Sequence, residues 1–132
     1  MTSKLMPGTQ APALSMPLAG GGTYDLAAQA PDAATMVIFY RGLHCPVCQG
    51  YLGQVAAKAA AFADAGMPIV LASMDGPDRA EQAKADWGLG DLPVAYGLTE
   101  AQARDWGLYI STSIKDAETP VFSEPGTFWV KP

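Results

Sequence analysis

Two cysteines occur in the chain, three positions apart in the run Cys45-Pro46-Val47-Cys48. A disulfide between them closes too small a loop to remove much entropy from the unfolded chain, so a purely stabilising bridge explains the pair poorly. A reversible dithiol explains it better. One sulfur ionises and attacks a disulfide or an oxidised thiol, and its neighbour resolves the mixed species by closing an internal disulfide. Zinc or iron–sulfur binding needs three or four ligands, and two cysteines with the adjacent His44 supply too few in good geometry. Neither a metal nor another cofactor is expected.

Residues 36–40 are an uninterrupted apolar run, Met-Val-Ile-Phe-Tyr, of strand length and composition. Such a run suits a strand covered on both faces, as in a parallel sheet. A turn over residues 41–44 follows, then an Ala-rich segment to Ala65 in which Tyr51, Leu52, Val55, Ala59 and Phe62 recur at steps of three and four. This periodicity predicts one amphipathic helix, stopped by Gly66 and Pro68. Residues 69–74 read as a second buried strand, so strand, helix and strand form a right-handed βαβ unit. The cysteines therefore fall at the seam between first strand and helix, with Cys48 in the first helical turn. Free backbone N–H groups and the positive end of the helix dipole favour a thiolate there. Pro46 lacks an N–H and has a fixed φ, so it starts a helix at no cost in hydrogen bonds. Cys45, at the helix start, is expected to be the more exposed and hence the attacking thiol, with Cys48 resolving.

Elsewhere, residues 9–26 are rich in Pro, Gly and small side chains and suggest a hairpin about Gly20-Gly21-Gly22, within an N-terminal hairpin or extension over residues 1–30. Two shorter helices are predicted at 77–87 and 100–106, the second opened by Thr99 and Gln102 at capping-box spacing. Both stop on the phrase Asp-Trp-Gly-Leu, which reads as a Schellman stop signal and not as a functional repeat. Residues 93–96 suggest a short strand, 111–119 a polar loop, and 127–130 a last strand.

Three further residues flank the dithiol. His44 either tunes the thiols and carries a proton or is a polar loop residue. Arg41 either brings positive charge to a thiolate or oxidised substrate or forms an ordinary exposed salt bridge. If the last strand lies beside the first, Pro125 comes close to the helix start; it is then either a cis-proline that exposes backbone to an extended substrate or a turn proline like others among the eleven.

Composition bounds the rest. A chain of 132 residues has room for one domain with a real core. Eight Lys plus Arg against thirteen Asp plus Glu give a net charge of -5 with no basic face, which argues against nucleic acid and anionic membrane as partners. The opening residues lack the apolar core of a secretory signal, and no run approaches a membrane span. A soluble cytoplasmic protein is expected.

The run from Phe39 to Cys48, Phe-Tyr-Arg-Gly-Leu-His-Cys-Pro-Val-Cys, resembles the active-site segment of the thioredoxin-like superfamily, and more narrowly is similar to the peroxiredoxin-like or AhpC/TSA branch. The resemblance covers most of the chain, from the Pro-rich start through Gly126. It implies an α/β, thioredoxin-like fold, a central mixed sheet with flanking helices, as one domain over residues 1–132. It also implies that Cys45 is the nucleophile, Cys48 its partner, and Pro125 the cis-proline facing them. Peroxiredoxins carry Pro-x-x-x-Thr-x-x-Cys; here Arg41 stands at the proline, Cys45 at the threonine and Cys48 at the peroxidatic cysteine, while Ser123, Glu124 and Pro125 occupy the place of a late arginine. Thioredoxin-like folds finish with a hairpin and a last helix, whereas this chain ends at Lys131-Pro132, so a fold lacking the final hairpin strand and helix is expected. The edge strand so exposed would favour a homodimer.

The leading expectation is a thiol-disulfide oxidoreductase of antioxidant type acting on a protein disulfide or small oxidised thiol, with a thiol electron donor. A thiol peroxidase that takes peroxide at Cys48 first and resolves at Cys45 is the second. A redox-sensing or protein-binding module without turnover is the third.

Overall fold

The computed structural model describes residues 4–113 and 120–132. The elements run in order β1 (Ser15–Pro17), β2 (Thr23–Asp25), a 3-10 turn (Leu26–Ala28), β3 (Thr35–Phe39), α1 (Pro46–Ala57), α2 (Ala59–Asp64), β4 (Ile69–Ala72), α3 (Pro77–Asp86), β5 (Val94–Ala95), α4 (Glu100–Asp105), β6 (Ile110–Thr112), β7 (Val121–Ser123) and β8 (Gly126–Val130).

The central sheet has the order β5-β4-β3-β8. β3 pairs in parallel with β4, and β4 with β5, while β8 runs antiparallel to β3. Every residue of β3 and β4 is buried, which is why both read as continuous apolar runs and not as alternating ones. The alternation of strand side chains divides the core in two. Met36, Ile38, Tyr40, Ile69 and Leu71 pack with Leu52, Cys45 and Cys48 on the α1 side. Val37, Phe39, Val70 and Ala72 pack with Leu14, Ala103 and Trp106 on the other. There the Trp106 ring lies 5.3 Å from Phe39 and 5.1 Å from Phe128. Complete burial of Leu52 alone contributes about 2 kcal/mol and pins the first turns of α1 to the sheet.

The local stop and start signals act as expected. Thr99 Oγ1 accepts the N–H of Gln102, whose side-chain Oε1 accepts the N–H of Thr99. At both Asp-Trp-Gly-Leu phrases the glycine has positive φ, and Leu89 and Leu108 donate their N–H to Lys84 and Ala103 carbonyls at 3.2 and 3.0 Å, the six-to-one bond of a Schellman stop. The N-terminal hairpin forms by pairing of β1 with β2.

Three expectations are corrected. The single helix to Ala65 is interrupted at Lys58, whose N–H reaches back only three residues to the Val55 carbonyl; the tightened turn ends α1 and starts α2. Tyr51, expected on the buried stripe, is 48% exposed, because the stripe against the sheet is centred on Cys48 and Leu52. The polar span read as a loop begins inside a strand, since β6 pairs with β7 through Ile110, Ser111 and Thr112; two short strands of mixed polarity carry too little apolar signal to be seen alone. The rest of that span, residues 114–119, lies outside the described residues. Among the described residues no helix is long and apolar enough to cross a membrane.

Candidate active site

The dithiol sits where β3 gives way to α1. Cys45 is the N-cap, in extended conformation at φ −100 and ψ 105, and Pro46 occupies the first helical turn. The Cys48 N–H donates to Cys45 Sγ at 3.2 Å, so a sulfur takes the place usually held by a serine or aspartate oxygen and satisfies one of the helix's free donors. Both cysteines are free.

Burial removes one ground for the expected division of labour. Cys45 is 4% exposed and Cys48 5%, so greater exposure of Cys45 does not distinguish them: Leu52, Tyr40 and Trp87 close the apolar side around both. Nor is Cys48 a ready thiolate despite its place in the first turn. Burial pushes its thiol up to about 12, the hydrogen bond and charge of Cys45 push the same way, and the backbone N–H groups of Arg41 and Gly42 pull against them. Desolvation outweighs the helix terminus here.

Arg41 is tied across the site. Its Nε lies 2.9 Å from Glu124 Oε1 and its Nη2 donates to Oε2 at 3.1 Å. Ser111 Oγ donates to the same Oε2 at 2.6 Å. The guanidinium stands 5.1 Å from the centroid of Phe122 and is held more firmly protonated, first by Glu124 and in smaller part by Cys45. Arg41 thus bridges the β7–β8 junction and the dithiol. His44 packs its ring 4.7 Å from Phe122 at 60° and is partly buried, so it is no freely solvated loop residue. Pro125 is exposed and lies beside Glu124, one residue ahead of the Gly126 that pairs with Phe39 at the end of β3. The chain passes close to the site as expected, but its peptide bond is trans, as are all others among the described residues.

Sequence reading missed Glu124 as the partner of Arg41, and it missed a buried polar group behind the loop, Ser73, Asp75 and Tyr40. Tyr40 is almost wholly buried, and its phenol is held well above the ordinary tyrosine range, first by burial. A lone acidic residue next to a turn, such as Glu124 or Asp75, carries no local mark of its partner. Among the described residues no cluster of three or more His, Cys, Asp or Glu side chains is arranged to hold a metal ion.

The arrangement of a sulfur at the helix N-cap, a second sulfur in the first turn of the same helix and a cation from the preceding loop suits thiol redox chemistry. The sequence profile of the AhpC/TSA family matches residues 7–132. The chain belongs to that family. With that membership the main reading holds: the protein is a thiol oxidoreductase of peroxiredoxin-like type. Its fold is shared with the peroxidoxin BcpB of Mycobacterium tuberculosis, at TM-score 0.77 and 18% identity over 94% of this chain and 77% of the other. It is shared also with peroxiredoxin Q of Xanthomonas campestris (0.73, 24%, 90% and 73%) and the reduced 2-Cys peroxiredoxin of Plasmodium vivax (0.74, 16%, 94% and 65%). No curated protein matches the chain in sequence.

Proposed function

We propose that this AhpC/TSA protein is a dithiol reductase in which Cys45 attacks and Cys48 resolves, within a single domain working in the reducing cytoplasm. One observation carries the assignment: Cys45 Sγ accepts the Cys48 N–H at the helix N-cap with Arg41 beside it, whereas the Cys48 thiol is held protonated by burial. In the first step Cys45 thiolate attacks one sulfur of a disulfide; a Cys45–substrate disulfide forms and a thiolate leaves. Cys48 then gives up its proton and attacks Cys45 Sγ, which closes the Cys45–Cys48 disulfide and releases the second substrate thiol. With a hydroperoxide the first step yields Cys45 sulfenic acid and an alcohol, and condensation with Cys48 releases water. Either way two electrons leave the dithiol, and an external thiol donor restores it. Near-complete burial of both sulfurs favours small oxidants, a hydroperoxide or a low-molecular-weight disulfide, over a folded protein substrate. In this reading Arg41, beside Cys45, holds the developing negative charge, His44 and Pro125 contact the substrate, and two copies pair through the edge strand β8.

A second reading, peroxide attack at Cys48, is favoured by the Arg41 and Gly42 N–H groups that face that sulfur. Single Cys45→Ser and Cys48→Ser variants separate the two. The proposal expects Cys48→Ser to retain the first turnover and to trap a mixed disulfide or sulfenic acid on Cys45, and Cys45→Ser to be inert. Peroxide consumed by Cys45→Ser but not by Cys48→Ser reverses the roles, and full activity in both removes the dithiol from the reaction.

A further inference from the structure

Behind the turn that joins β3 to α1 lies a carboxylate that the proposed reaction does not touch. Asp75, just past the end of β4, is 0% exposed. Burying a charge costs several kcal/mol unless it is paired and hydrogen-bonded. The ion pair of Asp75 is with Arg79, Nε to Oδ1 at 3.3 Å, a side chain that is itself one-third exposed. An apolar residue in that position would avoid the cost, so what else the carboxylate holds becomes decisive.

Asp75 holds the dithiol turn from beneath. Its Oδ2 accepts the N–H of Leu43 at 2.8 Å, and its own N–H donates to Ser73 Oγ at 3.2 Å, which fixes the carboxylate against the end of β4. Gly42, at φ +138, approaches so closely that a Cβ there would stand 2.7 Å from Asp75 Oδ1. Glycine is required twice over, by the left-handed backbone and by the contact. The Gly42 carbonyl accepts the N–H of Cys45 at 3.1 Å. A continuous chain of hydrogen bonds and one tight packing contact thus runs from Asp75 through Leu43 and Gly42 to the backbone of Cys45.

We propose that Asp75 is a positioning residue for the dithiol: its carboxylate clamps the Gly42–Leu43 segment, and through that turn sets where Cys45 Sγ stands relative to Cys48. The proposal rests on the dithiol reading above. The same clamp aims the Arg41 and Gly42 N–H groups toward Cys48, where they oppose the effect of burial. The charged and titratable groups around the clamp are Arg79 from α3, the phenol of Tyr40 just past β3, which Asp75 helps hold protonated, and Cys48 from α1.

Closure of the Cys45–Cys48 disulfide depends on how well the two sulfurs are presented to each other, so the equilibrium of the full chain with a glutathione redox buffer reads the clamp directly. Removing the acceptor in Asp75→Ala is expected to lower the closure constant about tenfold, a loss of orientation that intramolecular reactions feel strongly. Asp75→Asn keeps an oxygen for Leu43 and is expected to stay within roughly twofold of the parent, although both variants lose the Arg79 ion pair and melt earlier. A role confined to stability lowers both melting temperatures and leaves both closure constants alone, which overturns the proposal; so does an Asn variant that falls as far as the Ala variant. If Asp75→Ala does not fold, Asp75→Ser is measured in its place, since it is too short to reach Leu43 and leaves a polar group for Arg79. A parent protein that closes no Cys45–Cys48 disulfide defeats the dithiol reading itself, an outcome distinct from unchanged closure in the variants.

Discussion

Alkylation of the native protein by iodoacetamide, resolved by position with mass spectrometry, separates the two thiols chiefly by ionisation. The two residues are similarly exposed, 4% and 5%, so a large difference in rate reports chiefly the thiolate fraction. A thiol titrating at about 12, as burial holds Cys48, is ionised at pH 7 in about one molecule in 10⁵, against about one in 30 for a free cysteine of pKa ≈ 8.5. Cys48 is therefore expected to react roughly three thousand times more slowly than a free cysteine of equal access. Its rate should rise about tenfold per pH unit up to at least pH 10 without levelling. Cys45, which accepts the N-cap hydrogen bond and lies beside Arg41, should be modified first at every pH in that range. Replacing Cys45 with Ala removes two of the influences that hold Cys48 protonated, its hydrogen bond and its charge. The Cys48 profile should then move to lower pH while burial keeps it above that of a free thiol. Faster labelling of Cys48 than of Cys45 at neutral pH, or a Cys48 profile that levels off below pH 9, would show that the helix terminus and not burial governs this sulfur.

Two other outcomes follow from the same geometry. Arg41→Ala should slow Cys45 alkylation several-fold at pH 7 by removing the cation beside it. It should cost no more than about 1 kcal/mol in urea unfolding, because the Arg41–Glu124 pair is 37% and 24% exposed; an unchanged Cys45 rate would assign Arg41 to the ion pair only. Alkali should destabilise the fold, since Cys48 and Tyr24 keep their protons to about 12 while the unfolded chain releases them near 8.5 and 10. The unfolded state then binds fewer protons, so this stability is complete below pH 8.5 and is lost as pH rises toward 12. Urea midpoints at pH 7, 9 and 10.5 should fall in that order, and a flat series would contradict the burial argument.

What the sequence determined by itself was whatever depends on neighbours along the chain. Pro46 and the apolar run before it place Cys45 and Cys48 at a strand-to-helix seam; Thr99 with Gln102, and glycine after each Asp-Trp pair, set helix ends through bonds spanning three to five residues. Unbroken apolar character marked β3 and β4 as strands buried on both faces, because no side chain in either could face water. Tertiary structure alone decided that Cys48 is held protonated, since its burial arises in a core that the sheet and helices bring together, with Tyr40, Leu52 and Trp87 among its members. It also decided the site's polar frame. Arg41 meets Glu124 across 83 residues and Leu43 meets Asp75 across 32, and an acidic residue carries no local sign of the partner that folding will bring to it. The short strands β6 and β7 have the same origin, stabilised by each other and not by any periodicity of their own.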